Sequence, residues 1–156
     1  VETEAYLGEA DLACHAAKGL TKRTATIYGE PGTAYVYLIY GMYDMFNVVA
    51  HEPGVPHAVL VRAVELGGAV DASVRGDGPG RLTRALGISR ADDGTRLFGP
   101  RLAIHEGEPP RDVAVTARVG VGYAGEWADA RLRYFDPDST GVSRPAPRTI
   151  GSGARL

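Results

Sequence analysis

The 156-residue chain carries one cysteine, Cys14, two lysines and one tryptophan. No apolar run approaches the roughly 18 residues that a membrane-spanning helix needs. Each scarcity excludes something. One thiol cannot close an internal disulfide or furnish a multi-cysteine zinc site, and a lone cysteine fits a reducing compartment. No basic stretch followed by an apolar core opens the chain, so neither a secretory signal nor a membrane span is expected, and the sequence reads as a soluble domain. There is no GxSxG elbow, no HExxH pair, no Walker loop, and no GxGxxG fingerprint opening a βαβ unit. Nor is there an excess of positive charge: 17 basic against 19 acidic side chains give a net charge of −2, which argues against a general polyanion binder.

What is present is unevenly placed. Residues 1–78 hold 5 basic and 10 acidic side chains and the remainder 12 and 9, and 15 of the 17 basic residues are arginine, whose planar fork suits phosphate. That pattern fits either a local basic face or a solvated mixed surface. Short apolar runs alternate with turns marked by the 21 glycines and 10 prolines, which predicts a single sheet-rich α+β domain. The opening Val1–Leu7 alternates with period two and puts Glu2, Glu4 and Tyr6 on one face of a strand. Thr33–Tyr40 and Tyr43–Ala50, dense in aromatic and β-branched residues, predict a hairpin turning at Gly41-Met42. His57–Glu65 reads as a third strand, Arg81–Ile88 as a short helix after the Gly76–Gly80 turn, and Val113–Val119 as a late strand. The tail from about residue 136 is expected to be partly extended.

Three features bear on chemistry. Glu4 on its strand is either a solvent-facing edge glutamate or a partly buried general base. Arg62 interrupts the apolar run Val59–Val64 and needs an acidic partner, with Glu2, Glu4 and Glu65 the nearest acids in strand-like segments. Such a pair serves structure or catalysis. Tyr35, Tyr37, Tyr40 and Tyr43 crowd one hairpin. Two or three of these rings belong to a core, or together they form a stacking platform with Tyr40 projecting at the turn, an arrangement suited to nucleobases. The Gly78-Pro79-Gly80-Arg81 segment is a plain turn or a phosphate-binding helix start. His51, His57 and His105 read as surface or structural residues.

Five segments, VETEAYLG with the following His15, PGTAYVYLIYGMY with FNVV, VLVRAVE, GPGRLTRALGI, and ARVGVGYAGEW with LRY, occur in one order over nearly the whole chain. Together they resemble the alkyladenine (3-methyladenine) DNA glycosylases of the AAG type. The resemblance implies a monomeric α+β domain over residues 1–156, with a curved antiparallel sheet and a protruding DNA-inserting β-hairpin, and an N-terminal segment preceding Val1 in relatives. Its implied activity is release of alkylated or deaminated purines from double-stranded DNA by base flipping, leaving an abasic site, without cofactor, metal or membrane. The location is then cytoplasmic and nucleoid-associated in a bacterium, or nuclear in a eukaryote.

By the same resemblance Glu4 activates the attacking water, Arg62 helps hold it, and the Val119 backbone is the water's third contact. Tyr6, Tyr37 and His15 wall the base pocket, the amide of Asn47 opposes the exocyclic amino group of guanine, and Tyr40 is the wedge. Arg81 and Arg133 are expected to meet phosphates, and with an acidic balance DNA binding requires Arg81, Arg84, Arg118, Arg131 and Arg133 to gather on one side. With lysine limited to Lys18 and Lys22 in a polar loop, no Schiff-base step is expected. Two rivals share these features: an N-glycosidase with a different substrate, and a non-catalytic or weakly active nucleic-acid-binding module on the same fold.

Overall fold

The computed structural model describes residues 1–68, 71 and 73–143. Among the described residues six strands form one antiparallel sheet, β1 (Glu2–Leu7), β2 (Ala34–Ile39), β3 (Tyr43–Val49), β4 (His57–Ala63), β5 (Ala114–Thr116) and β6 (Arg133–Phe135), with one α-helix, α1 (Pro79–Leu86), and short 3-10 turns. The order across the sheet is β2-β3-β4-β1-β6-β5, a single α+β domain as the alternating pattern predicted. The opening strand therefore lies inside the sheet, paired with β4 on one side and β6 on the other. Glu4 is no edge residue.

The period-two side-chain alternation gives the sheet two different faces. On one, Val36 of β2 and Phe46 of β3 pack with Leu82 of α1, Ile88 and Leu97 in an aliphatic core. On the other lie Tyr35, Val49 and Ala58, joined by Cys14, Ala16 and Ile27 from the turns after β1, with Tyr6 and Tyr37 half-buried beside them. The aliphatic face anchors the sheet. The ring-bearing face carries the polar residues Glu2, Glu4, Asn47 and Arg62.

Three predicted elements differ in extent. β4, expected to run to Glu65, stops at Ala63 because the Val64 N–H turns to the Gly76 carbonyl (3.1 Å) instead of continuing the ladder. The helix starts earlier, at Pro79, whose fixed φ suits a first helical position, and ends where Gly87 adopts φ 64°. The late strand contracts to Ala114–Thr116, which pairs only with β6. Of the tail, residues 136–143 fold back until Ser143 is 2% exposed. Residues 144–156 lie outside the described residues.

Candidate active site

The face of β1 that points away from the aliphatic core buries two carboxylates, Glu2 and Glu4. Buried charges persist only with partners, and both have several. Glu4 Oε1 accepts the Val119 N–H at 2.7 Å and lies 3.4 Å from Arg62 Nε, while Oε2 accepts the Tyr6 hydroxyl at 2.9 Å. Glu2 Oε1 accepts Arg62 Nε at 2.8 Å, Arg133 Nε at 2.6 Å and the Ser143 hydroxyl at 2.9 Å, and Oε2 accepts the Ser143 N–H at 2.6 Å. Two carboxylates thus balance two guanidiniums. Burial alone would raise the Glu2 pKa, but the Ser143 hydrogen bonds and the Arg62 and Arg133 charges outweigh it and hold the carboxyl below its usual range. Arg62 reaches this cluster from a β-bulge: the β1–β4 register slips between Glu2 and Thr3, so Glu2 faces Ala63 and Thr3 faces Val61.

Above the cluster opens a cavity of about 620 Å³, lined by Tyr6, His15, Tyr35, Tyr37, Asn47, Arg62 and Val119 among others. Glu4 does not line it. The carboxylate lies just beneath, behind the Tyr6, Arg62 and Val119 groups that contact it. The His15 and Tyr37 rings sit 4.1 Å apart between centroids, and Tyr35 is 5.3 Å from Tyr37. The Tyr35 hydroxyl lies 3.0 Å from His15 Nδ1 and donates to the Arg23 carbonyl at 3.2 Å; with its one hydrogen so used, the network assigns the imidazole proton to Nδ1. Burial, with the Arg23 and Lys18 charges, pushes the His15 pKa down to about 4, so the ring is neutral at pH 7. Burial chiefly, and then Glu4, keeps the Tyr6 phenol protonated far above its ordinary range. Asn47 spends its amide hydrogens on the Tyr35 and Met45 carbonyls (3.1 and 3.2 Å), which fixes its orientation.

The rim is built by the β2–β3 turn and the start of α1. Tyr40 is 81% exposed and is the one non-glycine residue with positive φ (52°) among the described residues; Gly41 follows at 69°. The Met42 N–H closes the turn on the Ile39 carbonyl at 3.2 Å. Two positive φ values suit the right-handed twist of a hairpin, and asparagine or glycine is the usual occupant of the first position. Across the opening, a Cβ on Gly80 would meet the Tyr43 ring at 2.6 Å, so only glycine lets α1 approach the hairpin this closely. Arg81 and Arg84 of α1 also line the cavity.

The description of one family, methylpurine-DNA glycosylase, fits residues 1–140 of the chain. The chain belongs to that family. Relatives agree over most of the length. One from Myxococcus xanthus is 52% identical over 149 residues, covering 94% of this chain and 77% of the relative. One from Methanocella arvoryzae is 43% identical over 162 residues, covering 96% and 81%, and one from Legionella pneumophila (strain Lens) is 47% identical over 146 residues, covering 92% and 79%. Each of the three carries the provisional name 3-methyladenine DNA glycosylase. Membership makes this chain a DNA glycosylase, a hydrolase of N-glycosyl bonds in DNA.

Measured against that family, the structure brings Glu4, Arg62, Val119 and Tyr6 into direct contact and arranges His15, Tyr37 and Asn47 around one hollow. Tyr40 stands at its rim. Of the five arginines that a basic face would need, Arg81 and Arg84 line the cavity and two turn inward. Arg133 is buried on Glu2 and the Ser143 carbonyl, and Arg118 is buried on Asp11, because acids introduced at the start of the chain claim them; neither has a guanidinium free for a phosphate. Arg81 is half-exposed and pairs with Asp77 at 3.0 Å, and Arg131, exposed just before β6, bonds to the Val115 carbonyl of β5 at 2.8 Å. Sequence reasoning missed Ser143 and Asp11. A polar residue in a glycine- and proline-rich tail gives no sign that it folds under the first strand. Among the described residues no helix is long and apolar enough to cross a membrane, and no group of three His, Cys, Asp or Glu is disposed to hold a metal.

Proposed function

We propose that this glycosylase flips alkylated or deaminated purines out of duplex DNA and hydrolyses the glycosidic bond with a water activated by Glu4. The carrying observation is a fully buried carboxylate, held by Arg62, Tyr6 and the Val119 N–H, directly under a ring-lined hollow with an exposed tyrosine at its rim. Tyr40 enters the base stack and fills the gap left by the extruded nucleotide. The purine stacks between Tyr6 on one side and His15 with Tyr37 on the other. Asn47, held by two carbonyls, cannot turn aside for the exocyclic amino group of guanine.

In the step itself the bond between C1′ and the purine nitrogen breaks with its electron pair leaving on the base. The sugar gains oxocarbenium character, water attacks C1′, and its proton passes to Glu4. The negative carboxylate also faces the developing positive charge. Arg62 and the Val119 backbone border both Glu4 and the cavity, so they hold the water at that boundary. The products are a free base and an abasic site. The protein acts as a monomer, and its binding to duplex falls with salt at a log–log slope of about −0.9 per phosphate neutralised.

Glu4→Gln tests the reading, since it keeps volume while removing the proton acceptor. Release of a damaged purine should fall by about 10²–10⁴-fold, the usual worth of a general base, while binding to duplex containing an abasic-site analogue persists. Release at the wild-type rate would take Glu4 out of the chemistry.

A further inference from the structure

Both aromatic walls of the cavity are backed by a guanidinium that is not part of the cavity. Behind Tyr6, Arg118 places its guanidinium carbon 4.6 Å from the ring centroid; its side chain is fully buried, and Asp11 pins it at 2.5 and 2.8 Å. Against Tyr37, the Arg23 guanidinium carbon stands 5.7 Å from the centroid, tethered by a 3.0 Å hydrogen bond to the Leu38 carbonyl. Neither arginine lines the hollow that Tyr6 and Tyr37 do. A tyrosine face attracts a cation because the ring quadrupole is negative there. A guanidinium already on the ring draws on that same density.

We propose that Arg118 and Arg23 are specificity-determining residues: by occupying the tyrosine π-systems from outside, they disfavour cationic bases in the cavity relative to neutral damaged purines. This inference rests on the base-excision reading above. A purine stacked on the cavity side of Tyr6, at the roughly 3.5–4.0 Å of carbon contact, would lie about 8 Å from the Arg118 charge across the ring. At that separation two like charges in a protein disfavour one another by a factor of about 30, of which Asp11 offsets part. A neutral deaminated purine such as hypoxanthine meets no such opposition, and stacks on the same faces by dispersion and burial. A purine cationic through N7-alkylation meets both guanidiniums.

The test compares single-turnover release of 7-methylguanine and of hypoxanthine from duplexes of identical sequence, for the wild type, for Arg23→Gln and for the charge-balanced double variant Asp11→Asn/Arg118→Met. Effects on DNA binding or on folding alter both rates together and cancel in their ratio. The ratio of 7-methylguanine to hypoxanthine release should rise by about 2- to 5-fold in Arg23→Gln, the measure of a cation–π contact at an exposed site, and at least as much in the double variant. Arg23 is exposed, so its variant remains informative if the buried double variant fails to fold. An unchanged or lowered ratio in Arg23→Gln and in any folded double variant overturns this inference alone. No release of either base by the wild type overturns the excision reading and this inference with it.

Discussion

Ser143 shows how much of the site depends on a residue remote in sequence. Its hydroxyl donates to Glu2 at 2.9 Å, its N–H donates to the same carboxylate at 2.6 Å, and the hydroxyl accepts Arg62 Nη2 at 3.1 Å. Removing that hydroxyl leaves a buried guanidinium N–H unpaired and a buried carboxylate with one donor fewer. Ser143→Ala should therefore cost about 1–3 kcal/mol, read from the urea midpoint at constant slope. A loss within the error of the midpoint would mean that water replaces the hydroxyl without cost. Glu4 and Arg62 could be singled out from the sequence because a charged residue inside a period-two apolar strand is conspicuous. Ser143 could not, since it meets Glu2 across 141 positions with no periodicity to mark it.

At the scale of elements, the β2–β3 hairpin joins a legible strand pattern to an illegible turn. The run from Ala34 to Val49 announces two strands through its aromatic and β-branched residues, and they pair from Ala34–Val48 to Ile39–Tyr43. The left-handed conformation at Tyr40 follows from no propensity, because tyrosine opposes it. A bulky residue at φ 52° costs on the order of 1–3 kcal/mol, and a ring 81% exposed recovers little of that by packing. The strain has a purpose if the ring is needed where it stands. Tyr40→Asn, which tolerates this backbone, should raise stability by roughly 0.5–1 kcal/mol while release of a damaged base from duplex falls. The loss on single-stranded substrate should be smaller, because there is no stack to wedge open. A variant that is less stable, or that loses activity equally on both substrates, would count against a strained wedge.

For the whole molecule, charge counted along the chain misleads because burial redistributes it. The arginine-rich second half fitted either a basic face or a solvated mixed surface, whereas Arg118 and Arg133 turn inward to acids of the first eleven residues, so the acidic start and the basic end of the chain neutralise each other inside the domain. Acid should undo that arrangement in two stages. His15 has a pKa pushed down to about 4, by burial first and then by Arg23 and Lys18, against an ordinary 6.5. The unfolded chain then takes up a proton before the folded one does, so the contribution of neutral His15 is complete above about pH 6.5 and is lost as pH falls toward 4. Glu2 and Asp11, whose pKa values their hydrogen-bond donors and arginine partners hold below the ordinary range against the effect of burial, stay ionised longest in the folded state. Their contribution is present above the ordinary carboxylate range and disappears below it. The melting temperature should accordingly decline between pH 6.5 and 4 and then fall further in more acid solution, with His15→Gln flattening the upper limb and leaving the lower one. A wild-type melting temperature unchanged from pH 7 to 5, or an upper limb that persists in His15→Gln, would show that the imidazole is not held neutral by its burial and the neighbouring Arg23 and Lys18 charges.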